Sequence, residues 1–154
     1  MAEQKKINIL NKKASFEYQI HSKYNAGIVL SGTEVKSIRE GNVNISDAFC
    51  FVKQESDKTE LYIKGMNVGI WKQGGHYNHE PFGVRKLLLK KIELRKLKNK
   101  ASEKGFAIVP LRLYISERGF VKIEIAVGQG KKEFDKRESI KERDVERDMR
   151  RAIS

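Results

Sequence analysis

A small, mainly β barrel with flanking helices is the fold this sequence predicts, and three observations predict it. Several runs alternate apolar and polar residues with period two, the pattern of a strand buried on one side: Phe16, Tyr18, Ile20; Leu111, Leu113, Ile115; and Val121, Ile123, Ile125, Val127. Turn signals such as residues 116–119 separate these runs. The strands are also numerous, about six or seven once residues 27–32, 48–52, 61–63 and 106–109 are added, and closing such a sheet on itself removes its exposed edges.

Two helices interrupt the strands. Residues 33–40 start with Thr33 as N-cap, bury Val35 and Ile38, and stop at Gly41. A second helix is predicted over 85–104, opening after Pro81 and Gly83 and ending before Gly105, with leucines on more than one face and nine basic against two acidic side chains. That imbalance is too large for internal pairing and suits a phosphate-facing surface. Cys50, the one cysteine, sits in the apolar run AFCFV, where a buried inert thiol is expected.

Residues 128–154 differ from the rest. They hold nine basic and seven acidic side chains and almost nothing apolar, so they form a tail rather than part of the core domain at 1–127. On a helix, Glu133–Arg137 and Glu146–Arg150 are i,i+4 pairs, and Val145, Met149 and Ile153 make a thin apolar stripe. Such a segment is predicted to be disordered when free and helical when bound to a partner. Removing its charges from the totals of 32 basic and 20 acidic leaves 23 against 13, a net +10 on the body. A basic body without a long apolar span or an amphipathic segment with aromatic anchors favours nucleic acid over membrane. The N-terminus has no apolar core of signal-peptide length, so a cytoplasmic location is expected.

Candidate chemistry is sparse. His76, His79 and Glu80 are the one metal-like spacing, but no second pair of ligands follows, and their Gly-rich loop is better suited to touch phosphate or bases. No nucleophile–base signature or phosphate-cradling glycine motif is apparent, so neither catalytic residues, a metal nor a cofactor are expected.

Six motifs occur in a definite order: NKKA at 11–14, AGIVLSGTEVKSIREG at 26–41, NISDAF at 44–49, NHEPFGVRKLLLKKIEL at 78–94, VPLRLYI at 109–115 and GKKEFDKR at 130–137. With them the chain resembles, nearly end to end, the SsrA-binding (small protein B) family, partners of transfer-messenger RNA in bacterial ribosome rescue. The resemblance implies a small antiparallel β-barrel related to the OB fold that binds the tRNA-like domain of that RNA. By motif it implies an RNA-binding set of Asn11, Asn25, Glu34, Lys36, Arg85, Lys86 and Leu88. It further implies a tail that enters the empty mRNA channel of a stalled 70S ribosome and reaches the 16S rRNA decoding centre. There Lys131, Lys132, Lys136 and Arg137 would meet phosphates, Phe134 would stack on a base, Asp135 would orient its basic neighbours, and the following residues, Lys141 and Arg143 among them, would coil into a helix along the channel. Two positions depart from many relatives: Asn25 replaces an acidic residue, and Gly83 stands where a basic residue is common. The rival readings are a generic single-stranded-RNA-binding barrel, a nuclease and a structural ribosomal protein.

Overall fold

The computed structural model describes residues 7–131 and residue 147. The predicted tail helix and the tail residues Lys132, Phe134, Asp135, Lys136, Arg137, Lys141 and Arg143 lie outside the described residues. The chain forms β1 (Asn8–Leu10), α1 (Lys12–Glu17), the long β2 (Tyr18–Ile28), α2 (Gly32–Arg39), β3 (Val43–Asn44), β4 (Phe49–Glu55), β5 (Lys58–Lys64) and β6 (Asn67–Val68). A 3-10 segment at Lys72–Tyr77, β7 (Arg85–Leu88), α3 (Lys91–Ala101), β8 (Phe106–Ile115) and β9 (Val121–Gly130) follow.

The predicted barrel is there, and every strand pairing in it is antiparallel. In hydrogen-bonded order the strands run β8, β4, β5, β7, β2, β9 and back to β8, a closed ring of six. β1 is a seventh strand on β8, and β3 with β6 makes a separate ribbon. β1 and β4 share one edge of β8, β1 along Leu10 to Asn8 opposite Arg112 to Tyr114, and β4 only where Cys50 meets Ile108. Val121, Ile123, Ile125 and Val127 all point inward, as their alternation requires, and join Ala26, Leu61, Ile63, Leu87 and Leu113 in one core. Cys50 is buried too, and burial pushes its thiol pKa well up, which leaves it unreactive.

Several predicted boundaries change. Phe16 belongs to α1, because Asn11 caps a helix that ends only at Glu17; β2 starts one residue later. β2 also stops at Ile28, since Gly32 already opens α2, whose N-cap is Ser31 rather than Thr33. Ser31 makes a capping box with Glu34, which leaves the Thr33 hydroxyl free to bond His79. The stop at Gly41 is as predicted: at φ +80°, Gly41 donates to the Ile38 carbonyl and Asn42 to that of Ser37, the paired bonds of a Schellman motif. Residues 106–109 and 111–115 are one strand, not two. Pro110 lacks an N–H, but a register shift beside it lets the strand continue.

The largest correction concerns the helix expected over 85–104. Arg85–Leu88 is a strand, and only Lys91–Ala101 is helical. Leu- and Lys-rich sequence favours helix locally, but the ring closes only if this segment bridges β5 (Leu61 opposite Leu87) and β2 (Gly27 opposite Leu88). α3 then packs against the core through fully buried Leu97 and partly buried Leu94. Finally, β9 runs on to Gly130, three residues past the expected domain limit at 127, with Gly128, Gln129 and Gly130 opposite Ile20, Gln19 and Tyr18.

Candidate nucleic-acid interface

Residues directly opposite one another on neighbouring strands project to the same side of a sheet. While Leu61, Ile63, Leu87, Leu113, Ile123 and Ile125 face the core, three rows of register-paired residues therefore cross the outside of the ring. The first joins Phe51, Tyr62 and Lys86 on β4, β5 and β7, and continues to Val29, whose N–H donates to the Lys86 carbonyl at 2.9 Å. In the second, Leu88 lies opposite Gly27, Gly27 opposite Lys122, Lys122 opposite Tyr114, and Tyr114 opposite Asn8. The third runs from Asn25 through Glu124 and Arg112 to Leu10.

Contacts along these rows fix their side chains. The Phe51 and Tyr62 rings stack at 5.7 Å between centroids, 24° from parallel. The Tyr62 hydroxyl donates to the Glu60 carboxylate, and Lys86 Nζ lies 3.4 Å from Glu60 Oε1. The Tyr62 hydrogen bond first, and Lys86 with it, holds the Glu60 carboxyl below its ordinary pKa. The Tyr114 hydroxyl donates to Asn25 Oδ1 at 3.1 Å, and Arg112 sits 4.2 Å over the Tyr114 ring. Leu88, 51 % exposed, covers Gly27: a Cβ added there would meet Leu88 Cβ at 3.5 Å and Lys122 Nζ at 3.9 Å. The missing side chain thus brings a leucine and a lysine together, with exposed Asn25 two residues away on the same strand.

Of the residues nominated from sequence, Asn25, Lys86 and Leu88 lie in these outer rows. Lys36 is exposed on α2, with Nζ 4.1 Å from the Trp71 ring centroid. Asn11, Glu34 and Arg85 are only 5 %, 8 % and 4 % exposed and stand beneath the surface. Arg85 faces inward on β7, and all five of its N–H groups have acceptors. Nε donates to Glu34, Nη1 to the Met66 and Gly83 carbonyls at 2.8 and 2.9 Å, and Nη2 to those of Glu80 and Pro81 at 3.0 and 3.1 Å. A guanidinium so occupied has no donor left for a phosphate. It instead ties the loop before β7 to the N-terminus of α2.

The partner carboxylate is just as fully engaged. Burial pushes the Glu34 pKa up, but the Ser31 amide, 2.9 Å from Oε1, and the Arg85 guanidinium outweigh it and hold the carboxyl below the ordinary carboxylate range. Asn11 is also structural. Its Oδ1 caps α1 at the Ala14 amide, and its Nδ2 donates to the Pro110 and Ile45 carbonyls at 2.8 and 3.2 Å.

The histidine loop is built in the same way. His79 lies between Thr33 Oγ1 at Nδ1 and the Val68 carbonyl at Nε2, both at 2.9 Å. A carbonyl only accepts, so Nε2 carries the proton and neither nitrogen points to a ligand. Asn78 closes the loop on itself through the Trp71 amide and carbonyl at 3.0 and 2.9 Å. Among the described residues, no group of three His, Cys, Asp or Glu side chains is placed to hold a metal ion. No helix among them is long and apolar enough to cross a membrane.

Lys122, Arg112 and Tyr114 were missed from sequence. Their alternation within β8 and β9 marks them as outward-facing, but nothing local says that β9 lies beside β2 and hence that Lys122 sits next to Leu88.

Comparison with known proteins fits this architecture. The family model described as SmpB protein matches residues 8–154. The SsrA-binding protein of Cytophaga hutchinsonii is 54 % identical over 147 residues, covering 96 % of this chain and 94 % of its own. That of Flavobacterium psychrophilum is 49 % identical over 147 residues, covering 96 % and 95 %. A solved structure described as "tmRNA-SmpB: a journey to the center of the bacterial ribosome" superposes with a TM-score of 0.67 at 37 % identity, over 87 % of this chain and 94 % of that one. With a match that spans the whole barrel and continues through the charged C-terminal segment, the chain belongs to the SmpB protein family.

Proposed function

We propose that this protein is an RNA-binding adaptor in ribosome rescue. It holds the tRNA-like domain of transfer-messenger RNA on the outside of its barrel and carries it to stalled bacterial ribosomes. Membership of the family, with relatives named for SsrA binding and a solved relative described with tmRNA and the bacterial ribosome, is the observation that carries this reading. The outer rows supply the chemistry. Lys86 and Lys122 suit phosphates, the Asn25 amide suits a sugar or base edge, and Leu88 and the stacked Phe51–Tyr62 pair suit flat base or ribose surfaces. Asn25, Lys36, Lys86, Leu88 and Lys122 are the contact residues in this reading, and Asn11, Glu34 and Arg85 hold the scaffold under them. The role is one of binding, with no chemistry on the RNA. The tail from Lys131 enters the vacant mRNA channel and makes the decoding centre accept an RNA without an anticodon.

The test compares the intact chain with a version ending at Lys131 for binding transfer-messenger RNA at two salt concentrations, with ordinary transfer RNA as competitor. Tight, selective binding by both versions, with rescue of stalled ribosomes lost only in the shorter one, is the expected result. Binding without selectivity replaces this reading with that of a generic RNA-binding barrel.

A further inference from the structure

Between α3 and the hairpin of β4 and β5 lies a groove of about 600 Å³, floored by the end of β7. The helix contributes Lys91, Leu94, Arg95, Lys98 and Asn99, spaced i, i+3, i+4, i+7 and i+8, a single stripe along one face. Lys58 stands on the hairpin wall, and Lys86 and Leu88 rise from the floor. Lys58, Lys86, Lys91, Arg95 and Lys98 thus face only Asp57 and Glu60, and Glu60 is already bonded to Tyr62 and Lys86.

The cations sit where folding alone disfavours them. Lys90 is the N-cap of α3 without a side-chain capping bond, and Lys91 follows it, so two positive charges stand at the positive end of the helix dipole. Among the described residues Lys58, Lys91 and Arg95 have no ion-pair partner. Glu93 in the first turn offsets only part of that charge, and the excess of cations along the groove is the footprint of a polyanion site.

We propose that this groove is a second contact for the same RNA: a sugar-phosphate strand that crosses the outer rows runs on past Leu88 and lies between α3 and the hairpin, its phosphates neutralised by Lys58, Lys91 and Arg95. The floor decides between RNA and an acidic peptide. Lys86 and Leu88 belong both to the outer rows and to the groove, so one continuous strand serves both. This inference rests on the RNA-binding reading above.

Two measurements on the full chain test it. The double variant Lys91→Gln, Arg95→Gln should bind transfer-messenger RNA about tenfold more weakly near physiological salt, with a salt slope shallower by about 1.4 to 1.8, because each phosphate contact contributes about 0.7 to 0.9. Both side chains are exposed, so its unfolding midpoint should match the parent. In Arg95→Cys, an iron chelate attached to the new thiol should cleave the bound RNA, and buried Cys50 leaves that thiol the single reactive one. Unchanged affinity and slope with no cleavage, while the parent still binds selectively, overturn the groove and leave the RNA-binding reading standing. Cleavage of a ribosomal protein instead of RNA overturns it in favour of a peptide partner. A parent chain that does not select transfer-messenger RNA overturns both.

Discussion

Arg85 and Lys122 illustrate how differently two basic residues act in one small protein. Arg85 belongs to a segment that reads as strongly basic, and Lys122 to a strand that alternates apolar and polar residues. Yet Arg85 is enclosed by Glu34 and four carbonyls, whereas Lys122 is half-buried on the outer face with its Nζ beside Leu88 over Gly27. Removing one partner of a buried ion pair leaves the other charge uncompensated, so Arg85→Ala is expected to lose about 3–5 kcal/mol in urea unfolding, and Arg85→Lys most of that, since an ammonium cannot reach five acceptors. Lys122→Ala should unfold within about 0.5 kcal/mol of the parent but bind transfer-messenger RNA several-fold more weakly, with a salt slope shallower by about 0.7–0.9. The pH dependence follows from Glu34. Its folded-state pKa lies below the ordinary value of about 4.3, so its contribution is complete above that value and is lost as pH falls through the folded one. The stability gap between the parent and Glu34→Gln should therefore be largest near neutrality and narrow below about pH 4 when unfolding midpoints are compared.

At the level of elements, the ring decides what local sequence leaves ambiguous. Residues 85–88 carry the composition of a helix and become a strand because β5 and β2 need a neighbour between them. Arg85 and Leu87 then face inward and Lys86 and Leu88 outward, a period of two that the leucine run hides. The end of β9 has a practical consequence. Gly128, Gln129 and Gly130 pair with β2, Gly128 and Gln129 also pair with β8, and the Lys131 amide donates to the Glu17 carbonyl at 2.9 Å. A chain ending at Val127 loses these bonds and is expected to be destabilised by on the order of 1–3 kcal/mol. One ending at Lys131 should melt with the intact protein, which a thermal scan of the three will show. Gly65 joins β5 to β6 at φ +83°, where a Cβ would stand 2.7 Å from the Asp47 carbonyl oxygen; this turn admits glycine alone.

For the molecule as a whole, charge separates two parts. Residues 132–154 hold eight basic and seven acidic side chains, so removing them subtracts only one unit from the net +12. The salt dependence of RNA binding should therefore reside in the barrel, and the slope measured for the version ending at Lys131 should stay close to that of the intact chain. A slope that falls by half would move a large share of the phosphate contacts into the tail.

By itself the sequence determined the class of fold, the presence of several alternating strands, the inward set Val121, Ile123, Ile125 and Val127, the stop at Gly41, the basic body and the charge-balanced tail. Each of these is written in local periodicity, turn chemistry or composition. Its ordered motifs also pointed to the family and brought Asn25, Lys86 and Leu88 into view. Only the tertiary structure decided that Arg85, Glu34 and Asn11 lie under the surface, that residues 85–88 pair as a strand, and that Lys122 joins Leu88 across Gly27. Those facts depend on which strands become neighbours when the sheet closes. Contacts between residues some 35 to 100 positions apart, such as Gly27 with Lys122 or Asn11 with Pro110, leave no periodic trace in the chain.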